Sequence, residues 1–337
     1  MEKVLVAMSG GVDSSVAAAL LCNDGYMVCG ITMKIGSNEK AITEAARICE
    51  TLKIEHKVVD VNSLFRQAVI ENFIQEYSQG RTPNPCIRCN MHIKFGYLLE
   101  SAVSMGYDYL ATGHYASIRD GELFRGADTR KDQSYFLYPL YSKNIGRVMF
   151  PLGRYTKQQV RELATEIDFP NAQREESQDI CFISQKSYAE FVNDSLSCDQ
   201  VGGPIMDLQG NLLGTHCGIC NYTIGQRKGL GALGRRMFVK EICPQKNAII
   251  VAENKDLFSG SIVVENVVWG FEKIAVSETY SVQVRYKSKP VDCRIDEISD
   301  NALRIKFSEP VRAVAPGQSA VIYKENKVLA GGLIGKN

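Results

Sequence analysis

Several segments of this 337-residue chain set anion-binding or nucleophilic residue types at spacings that could do chemistry. Ser9-Gly10-Gly11-Val12-Asp13-Ser14-Ser15 follows an apolar run and opens a helical one. Glycines let the backbone approach phosphate oxygens, and the helix start adds unpaired N–H groups and a positive dipole end. The segment is neither a Walker A loop, which needs Gly-Lys-Ser/Thr, nor the dinucleotide Gly-x-Gly-x-x-Gly. The plain alternative is a tight β-α turn with Asp13 or Ser14 capping the helix.

The chain has 11 cysteines and no secretory signal, so metal, catalytic or buried thiols are expected rather than a disulfide framework. Cys86 and Cys89 lie in the Pro-constrained stretch Thr82–Asn90, read as a loop just ahead of a helix whose N-terminus favours a thiolate. Cys181 sits in Ser177-Gln178-Asp179-Ile180-Cys181-Phe182. Cys217 and Cys220 form a second C-x-x-C, but in what reads as a strand they point to opposite faces. Burial or plain exposure is the default for Cys22, Cys29, Cys49, Cys198, Cys243 and Cys293. Tyr222–Lys246 holds six Lys or Arg and one Glu, a local excess that could track a phosphate backbone or be a solvated face.

These segments need elements to hold them. Strands are expected at Lys3–Met8, Tyr26–Met33, Glu55–Val61 and Tyr107–Thr112, with helices at Ser14–Asn23, Lys40–Leu52, Ser63–Tyr77, Asn90–Met105 and Thr156–Asp168. Such repeated β-α units make a doubly wound parallel α/β domain, expected over 1–198. From Val201 the helical pattern gives way to short strands, including Asn247–Ala252, Gly260–Val268, Ser281–Tyr286, Ala302–Phe307 and Ser319–Tyr323. A small central domain over 199–258 and a C-terminal β-barrel over 259–337 are therefore expected.

With 45% hydrophobic and 23% charged residues, the composition is that of a globular protein, not a disordered or fibrous one. No apolar run is long enough to span a membrane, and Met1–Met8 leads into a Gly-rich turn rather than a cleavage site, so a cytoplasmic protein is expected. The net charge of +1 leaves any nucleic-acid partner to local basic patches.

The loop Ser9–Ser15 resembles the PP-loop of ATP pyrophosphatases, which cleave ATP between the α and β phosphates and adenylate a substrate oxygen. Taken in order with Thr112-Gly113-His114-Tyr115, Lys131-Asp132-Gln133, the Cys86/Cys89 and Cys181 segments, Tyr222–Gly231 and Ala315-Pro316-Gly317-Gln318, the chain resembles the bacterial tRNA-specific 2-thiouridylases from Val6 to about Ile334. That resemblance implies ATP-dependent 2-thiolation of uridine at wobble position 34 of tRNA. Adenylation makes the uridine C2 oxygen a leaving group, and cysteine-borne sulfur displaces AMP.

Position by position, it implies that Ala7, Met8, Ser9, Gly10, Gly11, Val12, Asp13 and Ser14, with Met33 and Gly113, hold ATP. Asp13 would assist adenylation through magnesium or leaving-group handling, because pyrophosphate departure calls for magnesium beside ATP. Cys181 would carry the persulfide and Cys89 would be the second active-site cysteine, the two ending as a transient disulfide. Asn84, Pro85 and Cys86 would meet the target base, and His114, Lys131, Asp132, Gln133, Arg285, Tyr286 and Gln318 would contact tRNA; on the residues alone, His114 is a satisfied core histidine and Lys131–Gln133 a solvated helix start. The sulfur would come from a persulfide donor protein or from inorganic sulfide.

Two features depart from the family. Only about five residues separate Lys34 from the next helix, where the family usually has a longer polar insertion. Cys86 stands where many members have an acidic residue. Cys86, Cys89 and Cys181 around one point could hold an iron–sulfur cluster or part of a zinc site. The alternatives are a PP-loop enzyme of the argininosuccinate synthase type, which needs no cysteine chemistry, and a catalytically idle RNA-binding relative, which should have lost the loop.

Overall fold

A computed structural model of the chain describes residues 1–172, 180–183, 187–196 and 201–336. Ser177, Gln178, Asp179, Cys198 and the expected 198/199 boundary lie outside the described residues.

Five parallel strands form the first sheet. They are β1 (Lys3–Ala7), β2 (Met27–Lys34), β3 (Glu55–Asp60), β4 (Tyr109–Ala111) and β7 (Val148–Met149), in the order β3-β2-β1-β4-β7. Val4, Leu5 and Val6 at the sheet centre are all shut off from solvent, as a strand covered on both faces requires. Helices α1 (Val12–Asn23) and α2 (Glu39–Thr51) cover one face, where Ala17, Ala18 and Ala45 let them approach Val6 and Ala111 closely. The strand order reverses at β1, so the opening beyond the carboxyl ends of β1 and β4 is where such a sheet takes a ligand.

Two long helices each carry a π segment. Asn62–Phe65, Arg66–Glu71 and Asn72–Ser78 run on as one, as do Pro85–Cys89, Asn90–Leu98 and Leu99–Ser104, the middle stretch being π in both. The second helix thus starts five residues before the expected Asn90, because Pro85 occupies its first turn, where the missing N–H costs nothing. Cys86 and Cys89 lie within the helix rather than ahead of it.

The central domain is a four-stranded sheet ordered Phe238–Cys243, Ala248–Ala252, Gly203–Met206, Leu212–His216. Cys217 follows its last strand and Cys220 lies in a 3-10 turn, so the expected single strand through both is not formed. From Phe258 six strands close on themselves, Phe258–Trp269 pairing with both Ala302–Arg312 and Lys327–Ile334. The hairpin β5 (Ala116–Arg119) and β6 (Glu122–Arg125), from the first part of the chain, joins the barrel sheet through Phe124 and Lys327. One core runs from Leu5 and Leu110 through Tyr135 and Tyr138 to Val321, Tyr323 and Val328, which locks the barrel to the first sheet.

Candidate active site

The turn after β1 is held by its own hydroxyls. The Ser14 hydroxyl donates to the Gly11 carbonyl at 3.0 Å and accepts from the Ser9 N–H at 3.2 Å. Ser15 also donates to the Gly11 carbonyl, and the buried Asn171 amide donates to the Gly10 carbonyl and the Ser15 oxygen. Gly10 has φ +70, and a Cβ there would stand 2.8 Å from the Ala41 carbonyl oxygen. Gly113, at the end of β4, crosses the start of α1 so closely that a Cβ would stand 2.9 Å from the Asp13 carbonyl carbon and the Ser14 nitrogen. Backbone N–H groups, glycines and a helix start therefore meet at the mouth of the sheet, which is an anion cradle.

Asp13 is not a mere cap. Its Oδ1 accepts from the Lys157 ammonium at 2.6 Å and the Tyr115 hydroxyl at 2.7 Å. Lys157 is brought there as the first residue of the helix Lys157–Glu166, whose expected N-cap Thr156 forms a capping box with Gln159. The Lys157 N–H donates to the buried Asp128 carboxylate, fixing the helix start.

Beside the loop lies a cavity of about 390 Å³ whose walls include Met8 and Ser9 from the loop, Met33 and Thr32 from β2, and Ala41 from α2. Cys86, Cys89 and Cys181 line the same cavity with Phe65, Phe182 and Lys94. Of the expected nucleotide residues, Met8, Ser9 and Met33 thus share one space with the two expected sulfur-carrying cysteines. Cys86 and Cys181 touch solvent and Cys89 is half-buried, yet the apolar walls raise all three thiols, Cys89 to about 11. Burial, the largest cause, works against the thiolate expected at this helix start. The nearby Lys94 ammonium acts on each thiol in the opposite sense, favouring the anion. Among the described residues, no group of three or more His, Cys, Asp or Glu could hold a metal ion. The candidate ligand set Cys86, Cys89 and Cys181 for an iron–sulfur or zinc site is not supported by this arrangement.

The expected tRNA contacts fall into distinct places. Asn84 and Pro85 begin the cysteine helix, with Pro85 buried and Asn84 half-buried. His114 is only 8% exposed; its Nδ1 pairs with the Thr112 hydroxyl and its Nε2 faces the Lys94 ammonium at 3.4 Å. Burial, then Lys94, holds its pKa well below the ordinary value, so it is a neutral interior histidine rather than a surface contact. Asp132 is buried too, accepting from the Gly126 and Ser134 N–H groups and pairing with Arg125 at 2.9 Å; it holds the seam to the barrel. The Gln133 side chain accepts from the Tyr115 N–H. Lys131 is half-buried beside them.

Arg285 is exposed while donating to the Ala313 carbonyl, and Tyr286 packs on Phe136 with ring centroids 4.2 Å apart. Gln318 donates to the Thr82 and Pro83 carbonyls, immediately before the cysteine helix. Arg285, Gln318, Thr82 and Thr223–Gln226 line a second, open cavity of about 390 Å³.

Lys94, Lys157 and Asn171 were not singled out from the sequence, and Tyr115 only as part of the Thr112–Tyr115 segment. Lys157 directly follows the Thr156 cap, which signals a helix start but not what it faces. Lys94 follows Cys89 by five residues, and only the π geometry brings the two to one face.

Comparison with known proteins follows the same division. The model of the tRNA methyl transferase HUP domain matches residues 2–185, that of the tRNA methyl transferase PRC-barrel domain 189–253, and that of the aminomethyltransferase beta-barrel domain 259–334. The tRNA-specific 2-thiouridylase MnmA of Carboxydothermus hydrogenoformans is 42% identical, the alignment covering 99% of this chain and 98% of that protein. The proteins of the same name from Dehalococcoides mccartyi and Clostridium botulinum are 42% and 41% identical, each covered over 97% or more of its length. Matched along its length by three domain models and about 42% identical to these proteins over nearly the whole of both chains, the chain belongs to the tRNA-specific 2-thiouridylase family.

Proposed function

We propose that this protein is an ATP-dependent tRNA-uridine 2-sulfurtransferase that makes 2-thiouridine at the wobble position. One observation carries the proposal: loop residues Met8 and Ser9 and the thiols of Cys89 and Cys181 face a single cavity. Activation and sulfur delivery can then act on one base without its leaving the site.

The nucleotide lies along Ala7–Ser14 with Met33 and Gly113 at its sides, its phosphates taken by the Gly-rich turn and the start of α1. Magnesium would arrive on those phosphates, since it commonly binds through one or two carboxylates plus substrate oxygens. Asp13 is the carboxylate at the loop, and Lys157 shares its charge. The uridine C2 oxygen attacks the α-phosphorus, and the bond to pyrophosphate breaks. The terminal sulfur of a Cys181 persulfide, ionised, then bonds to C2 and the C2–O bond breaks, releasing AMP. The Cys89 thiolate attacks the Cys181 sulfur; a Cys89–Cys181 disulfide forms, and the thiolate of 2-thiouridine leaves to take up a proton. The two electrons that reduce the transferred sulfur come from the two cysteines, and an external thiol resets the disulfide. A donor protein loads the persulfide; in the alternative route inorganic sulfide bonds to C2 itself, the C2–O bond breaks to release AMP, and no disulfide forms.

Contact with tRNA is assigned to the mouth at Asn84–Cys86, to Lys131 and Gln133, and to Arg285, Tyr286 and Gln318, with the exposed Arg227, Lys228, Arg235 and Arg236 as further phosphate contacts. No helix among the described residues is long and apolar enough to cross a membrane. The substrate puts the enzyme in the cytoplasm.

Cys181→Ser tests the sulfur assignment. Thiolation with a persulfide donor should be lost while tRNA-dependent pyrophosphate release stays measurable, because activation precedes sulfur transfer. Full thiolation in that variant would remove Cys181 from the mechanism.

A further inference from the structure

The cavity that holds three thiols supplies little to ionise them. Among the described residues that line it, Lys94 is the one charged side chain; its other walls are apolar, hydroxyl, amide or sulfur groups. Burial works against the thiolates of Cys86, Cys89 and Cys181. A sulfur nucleophile needs the opposite.

Lys94 is built into position. In an α-helix a residue five places on is rotated by about 140° and faces away. Asn90–Leu98 is instead a π-helix, whose bonds span five residues, and this turns Lys94 back toward the face that carries Cys89 and into the cavity. Behind it stands His114, buried and neutral, with Nε2 facing the ammonium at 3.4 Å and Nδ1 paired with the Thr112 hydroxyl at 2.6 Å. The Thr112 pairing orients the ring so that it accepts from Lys94 and does not compete as a cation. An ammonium carries three donors, and one anchored to His114 leaves two for the cavity.

We propose that Lys94 is the residue that holds the attacking sulfur as an anion, with His114 as its positioning residue. The inference rests on the sulfur-transfer function proposed above and adds the group that sets the charge of the nucleophile. Lys94 keeps its protons throughout. The proton lost from the persulfide or thiol passes to solvent, and the ammonium stabilises the anion left behind until the sulfur bonds to C2. In this chain position 86 is a cysteine rather than an acid, so Lys94 faces three sulfurs.

The test uses the full-length protein without ATP or tRNA. Alkylation of Cys89 and Cys181 by iodoacetamide is followed by peptide mass spectrometry from pH 6 to pH 10 in the wild type, Lys94→Met and Lys94→Arg. Removing the cation should slow alkylation about tenfold at each pH below the thiol midpoint, as an upward shift of about one pH unit does, whereas Lys94→Arg should stay near the wild-type profile. His114→Gln should shift the midpoint in the same direction but less. Thermal unfolding and far-UV circular dichroism report whether Lys94→Met is folded; if it is not, Lys94→Gln takes its place. Superimposable pH profiles for the wild type and the folded neutral variant would overturn the proposal. Failure of the wild type to thiolate tRNA would overturn the proposed function instead and would leave the alkylation profiles unmoved.

Discussion

At the scale of single residues, the site depends on two close approaches, one steric and one electrostatic. The steric one is Gly113. A methyl group there meets the backbone of Asp13 and Ser14 at 2.9 Å, and backbone at a helix start has no flexible end that can yield. Gly113→Ala should therefore displace the loop, cost about 1 to 3 kcal/mol in stability as an overpacked contact does, and cut tRNA-dependent pyrophosphate release more than tenfold. Thermal denaturation and a pyrophosphate assay read the two effects, and unchanged release would mean that the turn does not hold the nucleotide. The electrostatic approach is Lys157 to Asp13. The loop and its aspartate were legible in the sequence, because Ser-Gly-Gly-Val-Asp-Ser-Ser between a strand and a helix resembles the PP-loop, whereas glycines at such a turn alone would read as a tight β-α turn. Lys157 was not, since it lies 144 residues from Asp13 and only tertiary packing joins them. His114 and Asp132 mark the reverse case: implied by the resemblance as tRNA contacts, both lie in the interior, His114 as the satisfied core histidine its residues alone suggest, with hydrogen bonds filled by Thr112 and by Ser134 and Arg125.

At the scale of elements, caps and prolines decide where the site residues fall. Thr156 accepts from the Gln159 N–H and the Gln159 side chain returns to the Thr156 N–H, so the helix that presents Lys157 starts at a fixed place. Thr156→Ala should lower stability by about 1 kcal/mol, read as a shift in the denaturant midpoint at unchanged slope. It should also weaken adenylation, because Lys157 is the next residue; a loss of stability with undiminished pyrophosphate release would separate the cap from the site. Four strands of the first sheet and the helices α1 and α2 could be read to within a few residues, most of them from a buried apolar face, whereas β7, two residues long, could not. The start of the cysteine helix could not, since the Pro-x-Cys-x-x-Cys spacing suits a loop as well as a first turn. The π segments leave no local sign: the same apolar spacing serves both helix types. The hairpin Ala116–Arg125 escaped notice because its strands are four residues each and only partly buried. The short link after Lys34 is closed by Asn38 and Asn62 side chains that accept from the Ile35 and Gly36 N–H groups, and it brings Ile35 and Asn38 into the cavity wall.

At the scale of the whole molecule, the barrel and the first sheet act on the same short stretch of chain. The Thr82 N–H donates to the Pro316 carbonyl, Gln318 donates to the Thr82 and Pro83 carbonyls, and Gly317, with φ +88, lies against Arg81 and Thr82. These contacts fix the entry to the helix that carries Cys86 and Cys89, so the part of the protein assigned to tRNA also holds the cysteine segment. The order of strands that closes the barrel, and its junction with the first sheet through Phe124 and Lys327, are non-local and had no signature in the sequence beyond a run of short strands. Nucleotide loop, sulfur cavity and clamped tRNA face thus form one unit whose central claim is ATP-dependent sulfur transfer to a tRNA uridine. The most direct test is mass spectrometry of nucleosides from unmodified tRNA incubated with the protein, magnesium and a sulfur source, with and without ATP. The account predicts that 2-thiouridine appears only when ATP is present; pyrophosphate release from ATP with no 2-thiouridine formed from either a persulfide donor or sulfide would contradict it.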